Sequence, residues 1–317
     1  MSIDRLLNRL LRYVQIDTTA NDATDEYPSS PGQFELGKVL VEELRSMGVD
    51  DVVHDEYGLI YATVPSKNAP NAPVVALNSH LDTSPETTGA GVKPQVVRDY
   101  PGGDLVLCGD PSQVIRVSDN PELTELIGQT LITSDGTTLL GGDDKAGLSI
   151  IMECVQRLLD DPDARHAPLR ILFTCDEEIG RGVQHVDMEQ LGAHVAYTFD
   201  GDSAGNVDVE TFSADMATIT IDGINIHPSI AKDRMVNALR AASFFVSQLP
   251  DEMAPETTDD RQGFLHPYHI EGGVAQVQMK LILRDFNTEN LAGHAELLRR
   301  LATETESEFT GAKVRVD

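Results

Sequence analysis

Four short stretches of the 317-residue chain end in side chains that could hold a divalent cation: His80 and Asp82 in SHLDTSPE, Asp143 in LLGGDDKAG, Glu177 and Glu178 in TCDEEIGRG, and Asp200 in YTFDGD. An imidazole gathered with several carboxylates is a mixed N/O donor set, which suits Zn²⁺ and, less specifically, Co²⁺ or Mn²⁺. Asp82 lies two residues from His80 and can sit behind the ring to orient it. Two adjacent glutamates cannot easily serve one ion in the same way, so a division of labour is expected, one a ligand and the other a base toward water. Each stretch alone has a plainer explanation: a hydrogen-bonded histidine, acids at a helix start, a solvated pair before a Gly-containing turn, an Asp-Gly turn. Their shared position at the polar ends of apolar runs is what points to a metal site.

Those runs set the architecture. Over residues 1–206, helical and extended patterns alternate. MSIDRLLNRLLRYV is an amphipathic first helix and not a secretory signal, and PGQFELGKVLVEELRSMG repeats apolar residues at helical steps up to Gly48. GLIYATV, APVVALNSH, LRILFTCDEE and HVAYTFDGD are apolar and then turn polar, as buried, mostly parallel strands do when their carboxyl ends carry a site. KAGLSIIMECVQRLLDD is an amphipathic helix whose start favours the acids Asp143 and Asp144. Ser84 to Gln129, rich in Gly, Pro and Asp, reads as a long excursion with a hairpin or two. Residues 207–317 read strand, helix, strand, strand, helix, strand, the split-βαβ or ferredoxin-like order. The expected fold is therefore α/β with a mainly parallel mixed sheet, followed by a smaller α+β domain.

Composition narrows the partners. Lys and Arg total 24 against 52 Asp and Glu, a net charge of −28, which disfavours nucleic acid and anionic membrane surfaces. Only seven of the basic residues are lysine, and such an acidic, Lys-poor surface suits solubility at high salt. Three widely spaced cysteines, Cys108, Cys154 and Cys175, argue against a disulfide framework and for a reducing cytoplasm.

HLDTSPE, TSDGTTLLGGDDKAG, TCDEEIGRG, YTFDGD, IHPSIAKDRMVNA and LILRDF, with RLLRYVQIDTTA near the N-terminus, together resemble the M20 metallopeptidase family, and within it the aminopeptidases that act on tripeptides. The resemblance implies a zinc-peptidase-like catalytic domain over residues 1–206 and a lid and dimerisation domain over 207–317, with a homodimer through the lid. It implies two zinc ions bridged by Asp143, with His80 and Asp200 completing one and Glu178 binding the other. Glu177 would be the general base, and Asp82 would stand behind His80. His227 in IHPS corresponds to a lid histidine that meets the reacting carbonyl. Asn237 and Arg284 correspond to residues that hold the substrate's C-terminal carboxylate, a task the planar guanidinium suits. The plainer readings are an ion pair between Arg284 and Asp285, and a turn histidine at His227. One departure is Ser229, where the family usually has glycine.

Family members continue into a segment that returns to the catalytic domain with a further zinc-binding histidine and a Gly-rich substrate-binding stretch. This chain stops at Asp317, so a C-terminally truncated form is expected, with one zinc site lacking a ligand and a sheet edge left unpaired. Two other readings stay open: another M20-type dipeptidase or deacylase, and a non-catalytic fragment that keeps lid-mediated association.

Overall fold

A computed structural model describes residues 3–201 and 205–317, which fall into two compact units, Met1–Asn206 and Val207–Asp317. No helix among the described residues is long and apolar enough to cross a membrane.

In the first unit the elements run α1 (Ile3–Tyr13), α2 (Pro31–Ser46), β1 (Val52–His54), β2 (Ile60–Val64) and β3 (Val75–His80). Four short strands follow: β4 (Gln95–Val97), β5 (Leu105–Val106), β6 (Val114–Ile115) and β7 (Leu131–Thr133). The unit closes with α3 (Gly142–Asp160), β8 (Leu169–Thr174), α4 (Met188–Leu191) and β9 (Val195–Thr198). The main sheet has the order β1-β2-β8-β3-β9. β3 runs parallel to β8 and β9, whereas β2 runs antiparallel to β1 and β8. The sheet is thus mixed, and GLIYATV presents its first residues, not its last, at the edge where β3 and β8 end. A buried apolar run carries no mark of its direction, so the sequence pattern could not show this reversal. The Ser84–Gln129 excursion contributes β4, paired with β7, and the β5–β6 hairpin.

Helix α2 begins with Pro31 at its first position and ends at Ser46, and Gly48 just beyond it, with a φ of +91°, allows the Val49 amide to reach back to the Leu44 carbonyl. Its Leu36, Leu40 and Leu44 pack with Leu148, Ile151 and Val155 of α3 on one face of the sheet, against Ile60, Leu77, Ile171 and Phe173. A smaller cluster of Leu59, Tyr61, Ala76, Leu172 and Leu191 lies apart from it. β9 lies at the sheet edge, with Val195 47% and Tyr197 50% exposed.

The second unit runs β10 (Ser213–Asp222), α5 (Ala238–Ser247), β11 (Phe264–Gly272), β12 (Gln276–Asp285), α6 (Thr288–Glu308) and β13 (Lys313–Val316). Its sheet is antiparallel in the order β11-β12-β10-β13, the ferredoxin-like arrangement. Period-two alternation along β12 buries Val277, Met279, Leu281 and Leu283 against Phe245 of α5 and Leu291, Leu298 and Leu301 of α6. Helix α5 starts at Ala238. Asn237 caps it, and Val236 is engaged in a β-bridge with Ile224.

One buried charge ties α1 to α3. Glu153, 3% exposed, accepts from Arg5 Nε and Arg157 Nε at 2.8 and 2.9 Å and also from Arg9, which is itself 5% exposed. Burial alone would raise this carboxyl, but the guanidinium groups of Arg5, Arg157 and Arg9 outweigh it and hold the group down at about 2. Replacing Glu153 by Ala leaves a buried arginine short of a partner and should cost about 3 kcal/mol in urea unfolding. Because the folded value lies below the unfolded one, the carboxylate's contribution is full above pH 4.5 and lost as pH falls toward 2. The gap between wild type and variant should therefore close over that window, and a gap independent of pH would contradict the assignment.

Candidate metal centre

His80 is the last residue of β3, with its ring buried (1% exposed). Nδ1 donates to the Asp82 carbonyl at 3.1 Å and lies 3.3 Å from the Asp82 carboxylate. That fixes which nitrogen turns outward. Nε2 lies 3.0 Å from Asp143 Oδ1 and 3.9 Å from both Asp200 Oδ1 and Glu177 Oε2.

Asp82 does more than sit behind the ring. Its carboxylate is fully buried, and its two oxygens accept the backbone amides of Glu177 and Glu178, each at 3.0 Å. The glutamate turn is held from its other side by Asp176, which adopts a left-handed φ of +58°. The Asp176 carboxylate accepts from the Ser29 amide and hydroxyl and from Gln33 Nε2 at 2.5–2.7 Å, while Gln33 Oε1 accepts the Asp176 amide. Gly180, at φ +73°, ends the turn.

The adjacent acids Asp143 and Asp144 separate in role. The peptide between them is cis and both have non-helical backbone angles, so regular helix begins after them. Asp144 turns inward, 3% exposed, accepting from Ser79 Oγ at 2.5 Å, the His80 amide at 3.2 Å and the Gly147 amide at 3.2 Å. Asp143 is left outward, its side chain 71% exposed. Gly147 lets α3 approach the strand end that precedes Asp200, since a Cβ there would lie 2.1 Å from the Phe199 carbonyl oxygen.

Six residues separated by up to 120 positions thus converge on one sheet edge. Two triads each bring one donor atom per residue within 4.8 Å of one another: His80, Glu177 and Asp200, and His80, Asp143 and Glu178. Donors sharing one tetrahedral ion with bonds of about 2.0–2.1 Å sit roughly 3.3 Å apart, and the 3.0 and 3.9 Å separations around His80 Nε2 bracket that value. The electrostatics agree. Burial, then repulsion from Asp143, pushes Glu178 up to about 7, and burial pushes Asp144 to about 7 against its bond to Ser79. Burial also raises Asp200 to about 6. Burial would lower His80, but Asp82, Asp144 and Asp200 outweigh it and raise the ring to about 10. Acids crowded around a buried imidazole form a site that a cation would satisfy.

The other three expected residues lie in the second unit. His227 caps a 3₁₀ turn and contacts Ser229, so its ring is engaged in a turn as the plainer reading anticipates. Asn237 spends its Oδ1 on the Leu239 amide, leaving its NH₂ for other partners. Arg284 lines a cavity of about 440 Å³ with Pro255, Glu256, Phe264, His266 and Ile282, and its guanidinium lies 4.3 Å over the Phe212 ring. Its buried Nε has no hydrogen-bond partner among the described residues. No ion pair forms with Asp285, whose carboxylate accepts from Asn287 and Asn290 and faces His294 at 3.6 Å. Adjacent strand residues point to opposite faces, which explains the separation.

A family model described as a peptidase dimerisation domain matches residues 209–310. Peptidase T of Geobacillus thermodenitrificans is 40% identical over 312 residues, covering 98% of this chain and 76% of that protein. Peptidase T of Listeria monocytogenes is 41% identical over 313 residues, covering 99% of this chain and 76% of that protein. The chain belongs to the peptidase T family. Among solved structures, a tripeptidase from Staphylococcus aureus is 25% identical with a TM-score of 0.72, covering 99% of this chain and 75% of that one. Aminopeptidase PepT from Bacillus cereus, at 24% identity and a TM-score of 0.69, shares the fold. This peptidase T relative spans about three quarters of the length of those proteins.

Signals for Asp144, Ser79, Asp176, Ser29 and Gln33 as supports of the site were weak, because each is an ordinary polar residue until burial makes it a partner. If a cation takes the place at His80 Nε2, the proton held there must leave. Calorimetric titration with Zn²⁺ at pH 7.5, in two buffers of different ionisation enthalpy, should show release of about one proton for the first ion. Binding without proton release would contradict this geometry.

Proposed function

We propose that this chain acts as a zinc-dependent aminopeptidase that releases the N-terminal residue from tripeptides. The observation that carries the reading is the convergence of His80 Nε2 with carboxylate oxygens at 3.0–3.9 Å, in a chain 40% identical to a peptidase T along 98% of its length. In this reading His80, Asp143 and Asp200 would hold one ion, and Glu178, with Asp143, a second. The imidazole and carboxylate donors fit zinc, with cobalt or manganese as substitutes.

Bound ions would polarise the scissile carbonyl and make the attacking water more acidic. The protein's own groups supply the rest. Glu177, with a half-exposed side chain, takes the water proton on a carboxylate oxygen and returns it to the departing amine nitrogen. Its position is supported by the Asp82 bond to its amide, which fixes the backbone while the side chain stays accessible. His227 donates a hydrogen bond to the reacting carbonyl oxygen, and Asn237 and Arg284 bind the peptide's C-terminal carboxylate. The Arg284 guanidinium, which lines a cavity, and the Asn237 NH₂, whose oxygen alone is used by the cap, are groups suited to an anionic partner. The peptidase dimerisation match over 209–310 supports a homodimer formed through the second unit.

Glu177→Gln in the zinc-loaded protein should keep its metal content and lower kcat on a tripeptide by about 10²–10⁴-fold. Wild-type protein should release the N-terminal residue of tripeptides and leave dipeptides and N-acyl amino acids intact. Preferential cleavage of either of those, or a Glu177→Gln variant with full activity, would overturn the reading.

A further inference from the structure

His227 and Ser229 make a contact that decides where the histidine carries its proton. His227 precedes a 3₁₀ turn, Pro228–Ile230, closed by the Ile230 amide donating to the His227 carbonyl at 3.0 Å. Within that turn the Ser229 amide donates to His227 Nδ1 at 3.3 Å, and Ser229 Oγ lies 2.7 Å from the same nitrogen. A backbone amide can only donate, so Nδ1 must present its lone pair, and the hydroxyl then donates to it as well. The ring proton is left on Nε2.

We infer that Ser229 is a positioning residue that holds His227 in its Nε2–H tautomer, so that the exposed edge of the ring offers a hydrogen-bond donor. The inference rests on the proposed meeting of His227 with the reacting carbonyl. A carbonyl oxygen, and more so the oxyanion it becomes, accepts hydrogen bonds, so the other tautomer would face it with a lone pair. Pro228 between the two residues restricts the backbone and limits the ways the ring can leave the serine. The hydroxyl contact, at 2.7 Å against 3.3 Å for the amide, is the closer of the two, so the side chain at 229 adds to the hold of the backbone on this tautomer.

The test uses the full chain labelled with ¹⁵N-histidine and loaded with zinc, at a pH where the ring is neutral, with His227→Gln identifying the signal. Wild type should show an unprotonated Nδ1 and a protonated Nε2. Ser229→Asp, whose carboxylate accepts from Nδ1–H, should reverse this pattern and lower kcat on a tripeptide roughly 10- to 100-fold, with KM changed by less than about twofold. Ser229→Thr keeps the hydroxyl and should match wild type in both readouts, while Ser229→Ala falls between. Ser229 is exposed, and unchanged thermal midpoints would confirm that the variants fold. An unaltered tautomer in Ser229→Asp, or a reversed one with unchanged kcat, would overturn the inference. Full kcat in His227→Gln would instead overturn the role given to the histidine, whatever the tautomer proves to be.

Discussion

The Asp82 carboxylate is the joint on which the centre depends. It is fully buried, and an ionised group so placed is tolerable only when its oxygens are satisfied. The amides of Glu177 and Glu178 satisfy them, and the His80 ring lies against one of them. One side chain therefore links the end of β3 to the turn after β8. If it were removed, the ring would lose its orientation and the turn would lose the acceptor for two amides.

Around that joint the polypeptide accepts local cost. Asp144 is buried to hold the Ser79 hydroxyl and the His80 amide, Asp176 takes a left-handed conformation to anchor the turn on Ser29 and Gln33, and Gly147 admits α3 to within contact of the Phe199 carbonyl. Each feature presses acids toward one imidazole. Repulsion among them, with burial, holds Glu178 and Asp200 above the ordinary carboxylate range. A divalent cation would relieve that crowding, which connects the packing of the fold to metal-dependent chemistry.

Much of this was legible in the sequence, for identifiable reasons. His80, Asp143, the glutamate pair and Asp200 each follow an apolar run, and a strand's length alone delivers such residues to a sheet edge. The strand-helix order of the second unit needed only periodicity, as β12 shows with its strict alternation. The direction of β2 was not legible, because a fully buried strand reads the same both ways. Nor were the partnerships of Asp176 with Ser29 or Asp144 with Ser79, which span 147 and 65 residues. They depend on tertiary closeness that no local pattern records. Ser229 stood out only by its residue type, and its bond to His227 emerged from the turn geometry.

The most direct test of the account is the zinc affinity of Asp82→Asn, measured by competition with a chelator alongside wild type, with circular dichroism confirming the fold. An amide keeps the side chain's shape but loses the charge and one acceptor, so the variant should bind zinc about 10- to 100-fold more weakly. Affinity equal to wild type would show that the strand tips find their cation without Asp82, and would contradict the central claim.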